Sequence, residues 1–144
     1  MTGEERKALT RQGIDEVVNK GNFAGVDEAF AENYVGRMSD GTELNGPEEF
    51  KQFITMLRSA FPDIQYNVED MACDGDILAV RTSFTGTMTG PFKGMPPAGK
   101  KVAMQEALFY RFEDDKIVEE WSFINQMAML QQLGVAPPAP PPGG

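Results

Sequence analysis

The apolar residues of this chain change their period at Pro62. Before it, Phe50, Phe53, Ile54, Leu57 and Phe61 recur at i, i+3, i+4, i+7 and i+11, which is one buried stripe of an α-helix. After it, Ile64, Tyr66 and Val68 alternate with polar residues, and Leu78, Val80 and Phe84 alternate with Arg81, Ser83 and Thr85. A chain that switches once from helical to strand periodicity segregates its helices from its sheet, the mark of an α+β fold.

The helix is predicted over Pro47 to Ala60. Pro47 suits its first position, Glu48 and Glu49 suit the positive end of its dipole, and Pro62 ends it. Upstream, Thr2 and Glu5 fit a capping box that opens a helix from about Glu4 to Asn19 or Lys20, stopped by Gly21. A shorter helix is expected around Val26 to Ala31. Downstream, Asp74-Gly75 marks a hairpin turn before a strand from Ile77 to Gly86. Strands Lys101 to Phe112 and Ile117 to Asn125 follow, joined by the polar turn Glu113 to Lys116. A short helix, Gln126 to Leu133, ends at Gly134. The expected architecture is a curved antiparallel sheet packed on three N-terminal helices. Such a sheet, strongly curved, closes into a cone with an interior cavity.

The 144 residues suit one domain, expected over 1–135. The Pro-rich segment 136–144 has nothing to pack and is expected to be a disordered tail. Twenty-two acidic against 13 basic residues leave a net charge of −9, which repels nucleic acid and anionic membranes. No run approaches 18 apolar residues, and the polar N-terminus has no signal-peptide core, so a cytoplasmic protein is expected. The absence of histidine excludes a Ser-His or Cys-His nucleophile, a His base and a His metal ligand. Cys73 is alone, so it forms neither an internal disulfide nor a thiolate metal site, and no metal is expected. Carboxylate chemistry remains open.

Several segments, in order along residues 5–135, resemble the SnoaL-like polyketide cyclases. They are Gly46-Pro47-Glu48-Glu49-Phe50, Phe61-Pro62-Asp63, and Phe84-Thr85-Gly86-Thr87-Met88-Thr89-Gly90. Gly94 to Lys100, Arg111 to Glu119, Trp121 and Leu130-Gln131-Gln132-Leu133-Gly134 continue the set. The resemblance implies the cone-shaped α+β barrel of ketosteroid isomerase and limonene epoxide hydrolase, a deep cavity, a homodimer and no cofactor. It also implies an Asp acid/base near the end of the last strand and a His on the strand before it. Those positions fall on Asn125 and Leu108, and Met88 stands where many relatives carry His. An Asn exchanges no proton at neutral pH, so the family's aldol mechanism does not carry over.

Strand alternation puts Met104, Glu106, Leu108 and Tyr110 on one face. The resemblance turns Leu108 inward, and Glu106 with it. A carboxylate among apolar side chains loses hydration, its pKa rises, and it can serve as a general acid or base. The alternative is a surface Glu tied to Arg81 or Arg37. Asn125, sharing a face with Phe123 and Trp121, either holds a substrate oxygen or caps the helix that begins at Gln126. Trp121 is cavity wall or plain core. The resemblance sets Tyr34 at a water- or substrate-binding position of the epoxide hydrolases; a packed Tyr with a backbone partner is the other reading. Arg81 matches the Arg of their Asp-Arg-Asp set, but Ser83 and Asn125 stand where carboxylates are needed. Phe84, Met88 and Met104 are further expected substrate contacts, although methionines in such segments also serve as core filler. The loop Thr87 to Gly99 is a lid or a dimer contact.

The expected function is a cofactor-independent cyclase that closes a ring in a polyketide-type small molecule, by cycloaddition or a Michael-type closure. The rivals are a polyketide hydroxylase of the same fold and a non-catalytic binding protein.

Overall fold

The structure is a computed structural model and describes residues 1–136. The expected tail therefore lies, apart from Ala136, outside the described residues.

Helix α1 (Gly3–Ile14) opens with the expected capping box: Glu5 N–H donates to the Thr2 hydroxyl, and Thr2 N–H donates to the Glu5 carboxyl, both at 3.1 Å. A π-helical turn over Asp15–Asn19 continues it. Helix α2 (Val26–Ala29) is a single turn. Next come two strands that the pattern did not separate from the helices, β1 (Phe30–Met38) and β2 (Glu43–Asn45). Helix α3 (Gly46–Ala60) carries the apolar stripe, and β3 (Gln65–Asp74), β4 (Ile77–Thr87), β5 (Lys101–Glu113), β6 (Lys116–Ile124) and α4 (Gln126–Leu133) complete the fold.

The six strands form one curved sheet in the order β2-β1-β6-β5-β4-β3. Four pairings are antiparallel, but β1 runs parallel to β6, so the sheet is mixed where an antiparallel one was expected. The physical reason is that α3 and four further strands intervene between β1 and β6, a connection long enough to bring the chain back in the same direction. The inner face of β4 carries Leu78, Val80, Thr82 and Phe84, all buried; the inner face of β5 carries Val102, Met104, Leu108, Tyr110 and Phe112.

The helices cover this face without filling it. Of the α3 stripe, Ile54 and Phe61 are buried, whereas Phe50, Phe53 and Leu57 are only half-buried. Phe50, Phe53, Ile54 and Leu57 front a cavity, which explains how an apolar stripe keeps accessible surface inside a folded domain. Arg58 fixes the helix pair: its guanidinium donates to the carbonyls of Val18 and Asn19 at 2.7 and 2.8 Å, satisfying the end of the π-helical turn. At the far end, Gly90 passes so close to α3 that a Cβ would lie 2.6 Å from the Ser59 carbonyl oxygen, so no larger residue fits without a shift.

Candidate active site

The cavity measures about 870 Å³ and lies between the inner sheet face and the helices. Its helical wall is mostly apolar, with Ile14, Val17, Phe50, Phe53, Ile54 and Leu57, although Thr10, Glu16 and Glu28 also reach it. A cluster of hydrogen-bonding groups stands on the sheet wall: Tyr66 from β3, Glu106 and Tyr110 from β5, Glu120 and Ser122 from β6.

Glu106 faces inward with Leu108, and not outward toward Arg81 or Arg37. The Tyr66 hydroxyl donates to its Oε1 and the Ser122 hydroxyl to its Oε2. Tyr66 is held in turn. Asn19 brackets its backbone, donating to the Tyr66 carbonyl at 2.8 Å and accepting from its N–H at 2.7 Å. Phe84 stacks on its ring at 5.8 Å, and Thr82, directly opposite Glu106 on β4, sits 3.1 Å from its hydroxyl. Burial pushes the Glu106 carboxyl up to about 7; the Ser122 hydroxyl opposes this and the negative charge of Glu120 adds to it. The group keeps part of its surface accessible because it fronts the cavity.

Glu120 is the second carboxyl on this wall. It is 9% exposed and accepts a hydrogen bond from the Tyr34 hydroxyl at 2.6 Å. Burial pushes it, too, up to about 7, against the lowering effect of the Tyr34 and Tyr110 hydroxyls. Burial and the Glu120 charge hold both tyrosines well above their usual range, so they remain donors.

Of the other expected site residues, Phe84 and Leu108 line the cavity. Tyr34 is buried behind Glu120 and does not reach the wall. Met88 and Met104 are buried in the core away from it. Three residues face outward. Arg81 is exposed and paired with Asp70 at 2.5 Å, so no Asp-Arg-Asp set forms. Trp121 lies on the outer face of β6. Asn125 is exposed and caps α4, accepting from Ala128 N–H at 3.0 Å, so the capping alternative describes it.

For Trp121 and Asn125 the cause is a β-bulge in β6. Beside the turn, Phe112 pairs with Ile117, but one step further Arg111 pairs with Glu119, leaving Val118 as the extra residue. An uninterrupted ladder from the same turn sets Leu108 opposite Trp121 and points Trp121, Phe123 and Asn125 inward. The bulge shifts the register by one and inverts the face, turning Glu120, Ser122 and Ile124 inward instead. The inward places of Glu120 and Ser122 are therefore hidden from strand alternation. Tyr66 alone carried a usable signal, its place in the alternation Ile64, Tyr66, Val68.

Lys93, in the loop between β4 and β5, also reaches the cavity. It pairs with Asp40 in the β1–β2 turn and lies over the Phe53 and Phe92 rings at 5.6 and 5.7 Å, tying this loop to that turn and to α3. Its hydrogen bond, with the Thr42 N–H, holds the Asp40 carboxyl down at about 2 despite burial.

Residues 8–133 match the SnoaL-like polyketide cyclases along their length. The chain belongs to this family. Among its relatives is the aklanonic acid methyl ester cyclase DauD of Streptomyces sp. (strain C5), 26% identical over 129 residues, covering 87% of this chain and 80% of that protein. The cyclase DnrD of Streptomyces peucetius is equally similar, at 26% over 87% of this chain and 88% of its own length. Among solved structures, AclR of Streptomyces galilaeus, a candidate hydroxylase, superposes with a TM-score of 0.80 at 30% identity, covering 96% of this chain and 87% of AclR. These relatives support a cyclase-like role for the chain.

Proposed function

We propose that this protein is a cofactor-independent polyketide cyclase that closes a ring in a mostly apolar small molecule, with Glu106 as the group that moves a proton. One observation carries this reading: a carboxyl pushed up to about 7 on the polar wall of an otherwise greasy cavity. A base poised near the working pH is both available in its ionised form and strong enough to be useful. Tyr66 and Ser122 hold one oxygen each, so the carboxylate is oriented before the substrate arrives. The apolar helical wall would fold a flexible chain against it, removing much of the entropic barrier to closure. A placed base favours a Michael- or aldol-type closure over a cycloaddition, which needs little proton transfer. Following the family, we propose that the enzyme acts as a homodimer.

The likeness to AclR favours one second reading, hydroxylation within the same cavity. The test is product analysis with aklanonic acid methyl ester, after which the relatives DauD and DnrD are named, and with open-chain polyketides. Unchanged mass with a new ring is the expected result. Gain of one oxygen atom with consumption of dioxygen supports the hydroxylase. Tight binding with no new product reduces the protein to a carrier.

A further inference from the structure

The function proposed above uses one of two carboxyls on the cavity wall. Glu120 lies opposite Tyr110 of β5 and two residues from Ser122 on the same face of β6. Among the described residues, neither Glu106 nor Glu120 has a cationic partner within ion-pair distance. Two unpaired anions on one poorly hydrated wall disfavour each other, so over a range of pH the pair holds one negative charge and one proton. The titratable groups facing them are Tyr66 from β3, Tyr34 from β1 and Tyr110 from β5. Glu16, Glu28, Lys93 and Asp115 line other parts of the cavity.

The two carboxyls differ. Each oxygen of Glu106 accepts from a hydroxyl, an arrangement that favours its anion, and the group keeps access to the cavity. Glu120 is the more deeply buried, and burial weighs against the charged form. The Tyr34 hydroxyl donates to its Oε1 and the Tyr110 hydroxyl also faces it, so the depth of burial is what favours its protonated form.

We propose that Glu120 is the acid of this site, giving its proton to the substrate oxygen that gains charge while Glu106 takes a proton from a substrate carbon. This rests on the cyclase reading. The carbon loses its proton to the Glu106 carboxylate, and its electron pair forms the new bond to a carbonyl carbon or to the end of a conjugated enone. The carbonyl π pair moves onto oxygen, which takes the Glu120 proton. Product and substrate are isomers, and transfer of the proton from Glu106 to Glu120 resets the site. Tyr34, which does not reach the cavity, is a positioning residue for Glu120.

The experiment separates the two half-reactions in D2O. With a substrate that the wild type cyclises, Glu120→Gln is expected to keep deuterium exchange at the acidic carbon within threefold while ring closure falls at least tenfold. Glu106→Gln loses both. Closure at the wild-type rate in Glu120→Gln overturns the proposal. A second measurement needs no substrate: the side-chain carboxyl 13C signals of wild type and Glu106→Gln are followed across pH. The wild-type pair is expected to titrate in two linked steps, Glu106 first. Glu120, freed of the Glu106 charge, should titrate in a single step at lower pH in Glu106→Gln. An unchanged Glu120 midpoint in that variant overturns the shared proton. If the wild type neither exchanges nor closes any ring, the cyclase reading fails, while the titration still decides the pair.

Discussion

At the scale of the residue, Glu106 combines a cost to folding with a use. Its carboxyl sits near 7 in the folded chain against an ordinary 4.5. Between those values the folded form keeps a proton that the unfolded form has lost. The stability contributed by the raised value is therefore full below about pH 4.5 and lost as pH rises through about 7. Glu120 acts in the same direction. Glu106→Gln has no such proton to lose. Urea midpoints should fall from pH 5 to pH 8 in the wild type and fall less in this variant. Parallel pH profiles for the two proteins would show that Glu106 titrates as an ordinary surface carboxyl. Tyr66, bracketed by Asn19 and stacked on Phe84, shows how much structure is spent on aiming one hydroxyl at that carboxyl.

At the scale of the element, β6 decides which side chains meet the substrate. Its bulge at Val118 leaves Trp121 and Phe123 outside and brings Glu120 and Ser122 inside, against the usual preference of aromatic residues for the interior. Asn125 follows the outward set and starts α4. Asn125→Ala is expected to lower stability by about 1 kcal/mol, the usual worth of such a cap, with turnover unchanged. Chemical denaturation alongside an activity assay checks both, and a large loss of turnover at full stability would return Asn125 to the active site. The same element shows what was legible beforehand. Residues 47–61, 77–86 and 101–112 announce their periods plainly; alternation sets Met104, Glu106, Leu108 and Tyr110 on one face, and the resemblance at Leu108 turns that face inward. The bulge has no marker in Glu119-Glu120-Trp121-Ser122, because an inserted residue changes pairing without changing composition. Tyr34, expected to bind substrate or to pack with a backbone partner, instead donates to the Glu120 side chain, a partner that depends on that hidden register.

At the scale of the whole molecule, the curved sheet gathers polar groups from β3, β5 and β6 onto one wall and sets apolar helices opposite. The loop carrying Lys93, which lines part of the cavity, is pinned to the β1–β2 turn by Asp40. The mixed β1–β6 pairing matters here, since it places Tyr34 behind Glu120. The chamber thus supplies shape and a poised carboxyl together, and these two contributions are separable. The most direct measurement is the turnover and ligand affinity of Glu106→Gln, a substitution that preserves shape and removes the exchangeable proton. Turnover should drop at least tenfold, within the range of about 10²- to 10⁴-fold typical of a lost general base, while binding stays within threefold. Ring closure at the wild-type rate in that variant would contradict the account.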